Sequence, residues 1–84
     1  MKNRKKIRQT IEEILIDHRW VKPSCELDET ADYLSDLGMD SLDKVDMIMD
    51  IEREYGIFIP DDHVERLTTV GNTIDYLQKI LEGK

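Results

Sequence analysis

The segment of residues 40–56 reads DSLDKVDMIMDIEREYG. Its apolar residues recur with the spacing of an α-helix rather than with the alternation of a strand. Asp40 can cap the N-terminus of such a helix, and Gly56 can adopt the left-handed conformation with which many helices end. The stretch therefore predicts a helix from about Ser41 to Tyr55.

Apolar residues occupy two sides of this helix, which advances by roughly 100° per residue. One side carries Met47, Ile48, Ile51 and Tyr55. The other side, rotated by roughly 125°, carries Leu42, Val45 and Met49. One face is enough to pack a small bundle. The second face either packs beneath a loop or forms a docking surface for a partner with a basic rim, because acids lie beside it: Asp43, Asp46, Asp50 and Glu54.

The segments before and after this helix predict further helices and no strand pairing. An amphipathic pattern begins near Asn3, fades after Ile16 and contains Ile7, Ile11, Ile14 and Leu15. Residues 17–39 form a long connection that is rich enough in apolar groups to pack onto the body. Acids at 61 and 62 precede a single-turn helix, and Thr68 or Thr69 caps a last helix with Ile74, Leu77, Ile80 and Leu81. We expect one all-α domain over residues 1–84.

The charge of the chain is unevenly placed. Residues 1–24 hold seven Lys/Arg and three Asp/Glu, whereas residues 25–84 hold five Lys/Arg and sixteen Asp/Glu. Such an acidic body repels nucleic acids and anionic membranes and attracts proteins with basic patches. The basic start is interpreted as a solvated first helical turn rather than as contact with an anionic surface.

The lone Cys25 excludes an intramolecular disulfide and suits a reducing compartment. No segment is long and apolar enough to span a bilayer, and Glu12 and Glu13 interrupt what would be the apolar part of a signal peptide. These features predict a cytoplasmic protein.

Ser41 is the candidate for chemistry because it begins the central helix. A phosphodiester on its hydroxyl would lie near unpaired backbone N–H groups and the positive end of the helix dipole; the alternative is a simple helix start. A catalytic nucleophile is disfavoured, because there is no Gly-x-Ser-x-Gly elbow and because His18 and His63 have no orienting partner in sequence and are expected to be solvated. The acids do not follow a calcium-loop pattern, and one Cys with two distant His excludes a zinc site.

The segment 37–43, LGMDSLD, resembles the prosthetic-group attachment motif of acyl carrier proteins. The likeness covers about residues 31–81 without a gap. It includes Val45, Met49, Glu52, Glu54 and Tyr55, and the segments 59–62 (IPDD), 67–70 (LTTV) and 74–77 (IDYL). It implies a four-helix bundle of three main helices and one short helix with a long first loop. It also implies that a phosphopantetheinyl transferase attaches 4′-phosphopantetheine from coenzyme A to Ser41, and that the arm holds acyl groups as thioesters. The chain itself would not be an enzyme.

The same resemblance assigns roles to further residues. Asp40 and Leu42 would assist recognition by the transferase. Acyl-transferring and chain-elongating synthase enzymes with basic docking patches would meet Asp43, Val45, Asp46, Met49 and Glu52. The acyl chain would be sheltered by Tyr33, Met47, Ile48, Ile51, Val64 and Leu67. Lys44 and Arg53 interrupt the acidic helix, which predicts a narrower choice of partners and a specialised fatty acid, lipid or polyketide pathway for a monomeric carrier.

Two other functions remain as alternatives. Aminoacyl carriers, of the peptidyl or D-alanyl type, share the fold and the serine; the Asp before Ser41 and the acids of its helix favour the acyl type. An acidic helical interaction module that is never modified would explain the charge and both apolar faces.

Overall fold

A computed structural model describes residues 4–22 and 27–82 of the chain. The helices are α1 (Arg4–Asp17), α2 (Ser41–Tyr55), the one-turn α3 (Asp61–Val64) and α4 (Val70–Glu82). Within these two ranges the one β-type pairing is an isolated antiparallel bridge between Asp32 and Thr69, which the sequence did not suggest. The all-α fold of three main helices, one short helix and a long first loop is confirmed. The predicted cap at Asn3 and the thiol of Cys25 lie outside the described residues.

Local signals at both ends of α2 give it the boundaries that the sequence predicts. The Asp40 carboxylate accepts a hydrogen bond from the Asp43 N–H at 2.8 Å, and the Asp43 carboxylate accepts one from the Asp40 N–H at 3.2 Å. This reciprocal pair is a capping box. At the other end Gly56 adopts φ 64°, and its N–H donates to the Glu52 carbonyl. A residue with a Cβ takes that conformation only at a cost, so the glycine ends the helix.

The start of α4 is also fixed by a side chain. The Thr69 hydroxyl oxygen accepts a hydrogen bond from the Asn72 N–H at 3.1 Å, so Thr69, one of the two residues expected as the cap, occupies that position. No helix in the described ranges is both long and apolar enough to cross a membrane.

The core lies where α1 packs against both α2 and α4. Its helical members are Ile7, Ile11, Leu15, Met47, Ile48, Ile51, Val70, Ile74, Leu77 and Leu81. The connections add Leu27, Tyr33, Met39, Ile59 and Leu67. Tyr33 is fully buried, and its hydroxyl donates to the Thr73 hydroxyl oxygen at 2.6 Å, which satisfies a polar group that would otherwise be costly to bury.

The basic start of the chain holds the long loop in place. The Arg4 guanidinium pairs with the carboxylates of Glu29, in the loop, and Asp75, in α4. Arg8 donates to the Leu27 carbonyl oxygen and lies 3.4 Å from a Glu29 carboxylate oxygen. The expectation of a merely solvated first turn was wrong for these two arginines. Their contacts could not be predicted from the local pattern, because the partners lie far away in sequence.

Candidate functional site

Ser41 is exposed at the first position of α2. An α-helix leaves its first four N–H groups without intrahelical acceptors. The capping box satisfies those of Asp40 and Asp43, which leaves the N–H groups of Ser41 and Leu42 for an acceptor outside the helix. The positive end of the helix dipole lies at the same place. The Ser41 hydroxyl is thus a position at which an attached anionic phosphodiester fits.

The segment before Ser41 is anchored although the serine itself faces solvent. Met39 is buried, and its N–H donates to the Tyr33 carbonyl oxygen at 3.0 Å. Gly38 takes φ 71°, a left-handed conformation that glycine adopts without strain. The chain therefore turns at Gly38, buries one side chain and then presents Asp40 and Ser41 outward.

The second apolar face of α2 is open to solvent. Leu42 is 75% exposed, Met49 is 53% exposed and Val45 is 45% exposed. The alternative in which these residues pack beneath the long loop was therefore wrong. Exposed apolar side chains next to one another on a helix are a feature of docking surfaces.

The acids beside this face differ in how they are engaged. Asp40 and Asp46 are exposed, and Asp43 is half-buried in the capping box. The Glu52 carboxylate accepts a hydrogen bond from the Ile59 N–H at 2.7 Å, so it also holds the connection between α2 and α3. Asp50 forms ion pairs within the chain, described below.

The residues expected to shelter an acyl chain lie together in the core. Five of them are buried: Tyr33, Met47, Ile48, Ile51 and Leu67. Val64 is half-buried and packs against that cluster. The structure thus brings the predicted set together in one core cluster, and the role of the set toward an acyl chain stays a prediction.

Lys44 lies on the inner side of α2, where the sequence analysis did not place it. Its side chain is 8% exposed. Burial lowers the pKa of its ammonium, and the charges of Asp32 and Glu65 act in the opposite direction. Lys44 therefore does not interrupt the acidic surface, and that part of the prediction was wrong. Its spacing from Met47 and Ile48 was the signal that could have placed it inside.

Both histidines have partners, contrary to the expectation that they are solvated. The His18 Nε2 lies 2.5 Å from an Asp50 carboxylate oxygen, and its ring stacks on that of Trp20 with centroids 4.6 Å apart. Arg53 pairs with the other oxygen of Asp50 at 3.2 Å. His63 Nδ1 lies 2.9 Å from the Tyr76 hydroxyl.

These histidine contacts join elements that are distant in sequence, which is why sequence reasoning missed them. In the part of the chain that the structure describes, no three His, Cys, Asp or Glu residues are grouped so as to hold a metal ion.

The chain is similar to known proteins over most of its length. The family model described as "Phosphopantetheine attachment site" matches residues 5–77. An acyl carrier protein from Afipia carboxidovorans is 41% identical over 73 residues, which cover 87% of this chain and 91% of that protein. An acyl carrier protein from Zymomonas mobilis subsp. mobilis is 39% identical over 71 residues, covering 84% and 90% of the two chains. The chain belongs to the acyl carrier protein family.

Proposed function

We propose that this chain carries acyl groups on a 4′-phosphopantetheine arm attached to the Ser41 hydroxyl. The observation that carries the proposal is the exposed serine at the first position of α2, where two backbone N–H groups remain for an anion. This helix lies within the region matched by the phosphopantetheine attachment model. Family members are carriers rather than enzymes. When bound, the arm supplies a terminal thiol that holds acyl groups as thioesters.

The residues around Ser41 hold its hydroxyl oxygen in a fixed position for a modifying enzyme. Asp40 and Asp43 fix the start of α2 through the capping box, so the serine is held at the helix end rather than in a fraying turn. Buried Met39 anchors the residue before the cap. The N–H groups of Ser41 and Leu42 face the place where negative charge would be added, which favours an anion there.

The second apolar face of α2, called the outer face below, is proposed as the docking surface. Leu42, Val45 and Met49 supply apolar contact, and the acids that surround them are Asp40, Asp43, Asp46 and Glu52. A phosphopantetheinyl transferase and acyl-transferring or chain-elongating synthases with basic patches complement this combination. Small charged contacts suit a monomeric carrier that has to bind and leave many enzymes. We place it in the cytoplasm, in a fatty acid, lipid or polyketide pathway.

Intact mass tests the attachment site. The folded protein is incubated with coenzyme A, Mg²⁺ and a broad-specificity phosphopantetheinyl transferase. We expect a gain of one phosphopantetheine group in the wild type and in Ser35→Ala, which removes an exposed loop serine, and no gain in Ser41→Ala. Circular dichroism confirms that the variants fold. A gain in Ser41→Ala, or none in the folded wild type with several transferases, would contradict the proposal.

The class of cargo is tested with the modified protein. Loading enzymes that use acyl donors are compared with enzymes that activate amino acids, and the product is followed by mass. Acylation without aminoacylation is the expected result. The reverse would make the chain an aminoacyl carrier.

A further inference from the structure

Lys44 places a positive charge among the residues that face the interior from α2. At roughly 100° per residue, Lys44 is rotated by about 60° from Ser41 and by about 40° from Ile48. It therefore follows the attachment serine by one turn and lies on the same side of the helix as the core residues. Its 8% exposure agrees with that position.

The two carboxylates whose charges act on Lys44 come from two different connections of the chain. Asp32 is in the long loop, immediately before Tyr33, and Glu65 follows α3, immediately after Val64. Tyr33 and Val64 both belong to the set expected to shelter an acyl chain. Lys44 is thus buried on the side of α2 that carries Met47 and Ile48, two further members of that set.

A lysine in this position favours some acyl groups over others according to their chemistry. A buried lysine packs its apolar stem inward and directs its ammonium toward water and negative charge, and the charges of Asp32 and Glu65 favour that ammonium here. A plain alkyl chain that entered beside it would displace that solvation and offer no hydrogen bond in return, which is costly for a charge. A carboxylate-bearing chain would meet one ammonium and two carboxylates, a group with net negative charge. A neutral hydroxyl or carbonyl group on the chain would accept a hydrogen bond from the ammonium.

We infer that Lys44 makes the interior of this carrier a poor shelter for plain saturated chains and a better one for neutral oxygenated acyl groups. This inference rests on the proposed attachment at Ser41. It attributes the choice of acyl group to one side chain, so replacing that side chain should abolish the preference.

Acylated proteins provide the test. The transferase attaches octanoyl- or 3-hydroxyoctanoyl-phosphopantetheine from the corresponding coenzyme A derivatives to the wild type, to Lys44→Met and to Lys6→Met. Lys6 is an exposed lysine in α1 and serves as the matched control. Two quantities are measured: the rate at which hydroxylamine cleaves the thioester, and the shift in melting temperature on acylation.

In the wild type and in Lys6→Met we expect the octanoyl thioester to be cleaved faster than the 3-hydroxyoctanoyl thioester and to stabilise the fold less. In Lys44→Met the octanoyl thioester should be cleaved about tenfold more slowly than in the wild type, equivalent to ~1.4 kcal/mol of added protection. The preference for the hydroxylated chain should disappear in that variant.

Equal octanoyl protection in the wild type and Lys44→Met would overturn the inference and leave the carrier function intact. A wild type that gains no mass from either derivative would overturn the carrier proposal and this inference with it. If Lys44→Met unfolds, Lys44→Gln decides the question, because it removes the charge and keeps a polar end. Octanoyl protection in Lys44→Gln that equals the wild type overturns the inference, and increased protection supports it.

Discussion

The two apolar faces of α2 have similar residues and opposite surroundings. Met47 and Ile51 are fully buried against α1 and the connections, whereas Leu42 and Met49 are mostly exposed. Hydrophobicity on the same helix thus serves the fold on one side and remains available for partners on the other. Only the elements that pack against a face decide which of the two purposes it has.

The largest expected difference between the faces is in stability. Ile51→Ala should lower the free energy of unfolding by about 2–5 kcal/mol, because it removes buried methyl groups and leaves a cavity. Met49→Ala on the outer face should change it by less than about 0.5 kcal/mol. Urea unfolding followed by circular dichroism measures both. Similar losses for the two variants would mean that the outer face is covered in solution.

The outer face should show its effect in partner recognition. Leu42→Ser should lower kcat/KM for modification by the transferase about tenfold, the size of effect of losing a central interface residue, with an unchanged melting temperature. Leu34→Ser is the control, because Leu34 is an exposed leucine in the long loop. The contrary outcome is an equal loss of rate in both variants, or in neither.

The C-terminus of α2 stabilises the whole helix, so a change there should lower the stability of the protein without changing its docking to the transferase. At Gly56, with φ 64° and no heavy atom within 4 Å of an added Cβ, alanine introduces conformational strain alone. Gly56→Ala should therefore cost about 1 kcal/mol and leave the rate of transferase modification unchanged. Gly56→Asn should cost less, since asparagine tolerates this conformation better. An altered rate would show that the helix end contacts the transferase.

The stability that the buried Tyr33 contributes to the core should depend on pH. Burial raises the pKa of its hydroxyl above the ordinary value of 10. Below pH 10 the hydrogen bond to Thr73 should make the wild type about 1 kcal/mol more stable than Tyr33→Phe. Above pH 10 the unfolded chain loses this proton more readily than the folded chain does, so the wild type loses stability as pH rises.

Urea unfolding of the wild type and Tyr33→Phe at pH 8 and pH 10.5 measures the difference between them. It should shrink at the higher pH, and a constant difference would contradict the burial of an uncharged Tyr33 hydroxyl.

The boundaries of α2 and the position of Ser41 were predictable because their causes are local. Asp40 and Gly56 lie beside the helix they delimit, and the attachment motif surrounds Ser41. The burial of Lys44 does not follow from its charge, because the long apolar stem of a lysine can cross a buried layer. The ion pair between Arg4 and Asp75 joins residues 71 positions apart, and no periodicity within one segment can indicate such a contact.

The single bridge between Asp32 and Thr69 links the motions of the long loop and α4. The Tyr33 N–H donates to the Thr68 carbonyl, the Val70 N–H to the Ala31 carbonyl, and the Gly71 N–H to the Glu29 carbonyl at 2.7 Å. Separating the loop from the body therefore breaks hydrogen bonds at the first turn of α4 as well. In native-state hydrogen exchange, the amides of Tyr33, Val70 and Gly71 should open as one cooperative unit. Residues 29–33 of the loop are accordingly a part of the helical body rather than of a separate lid.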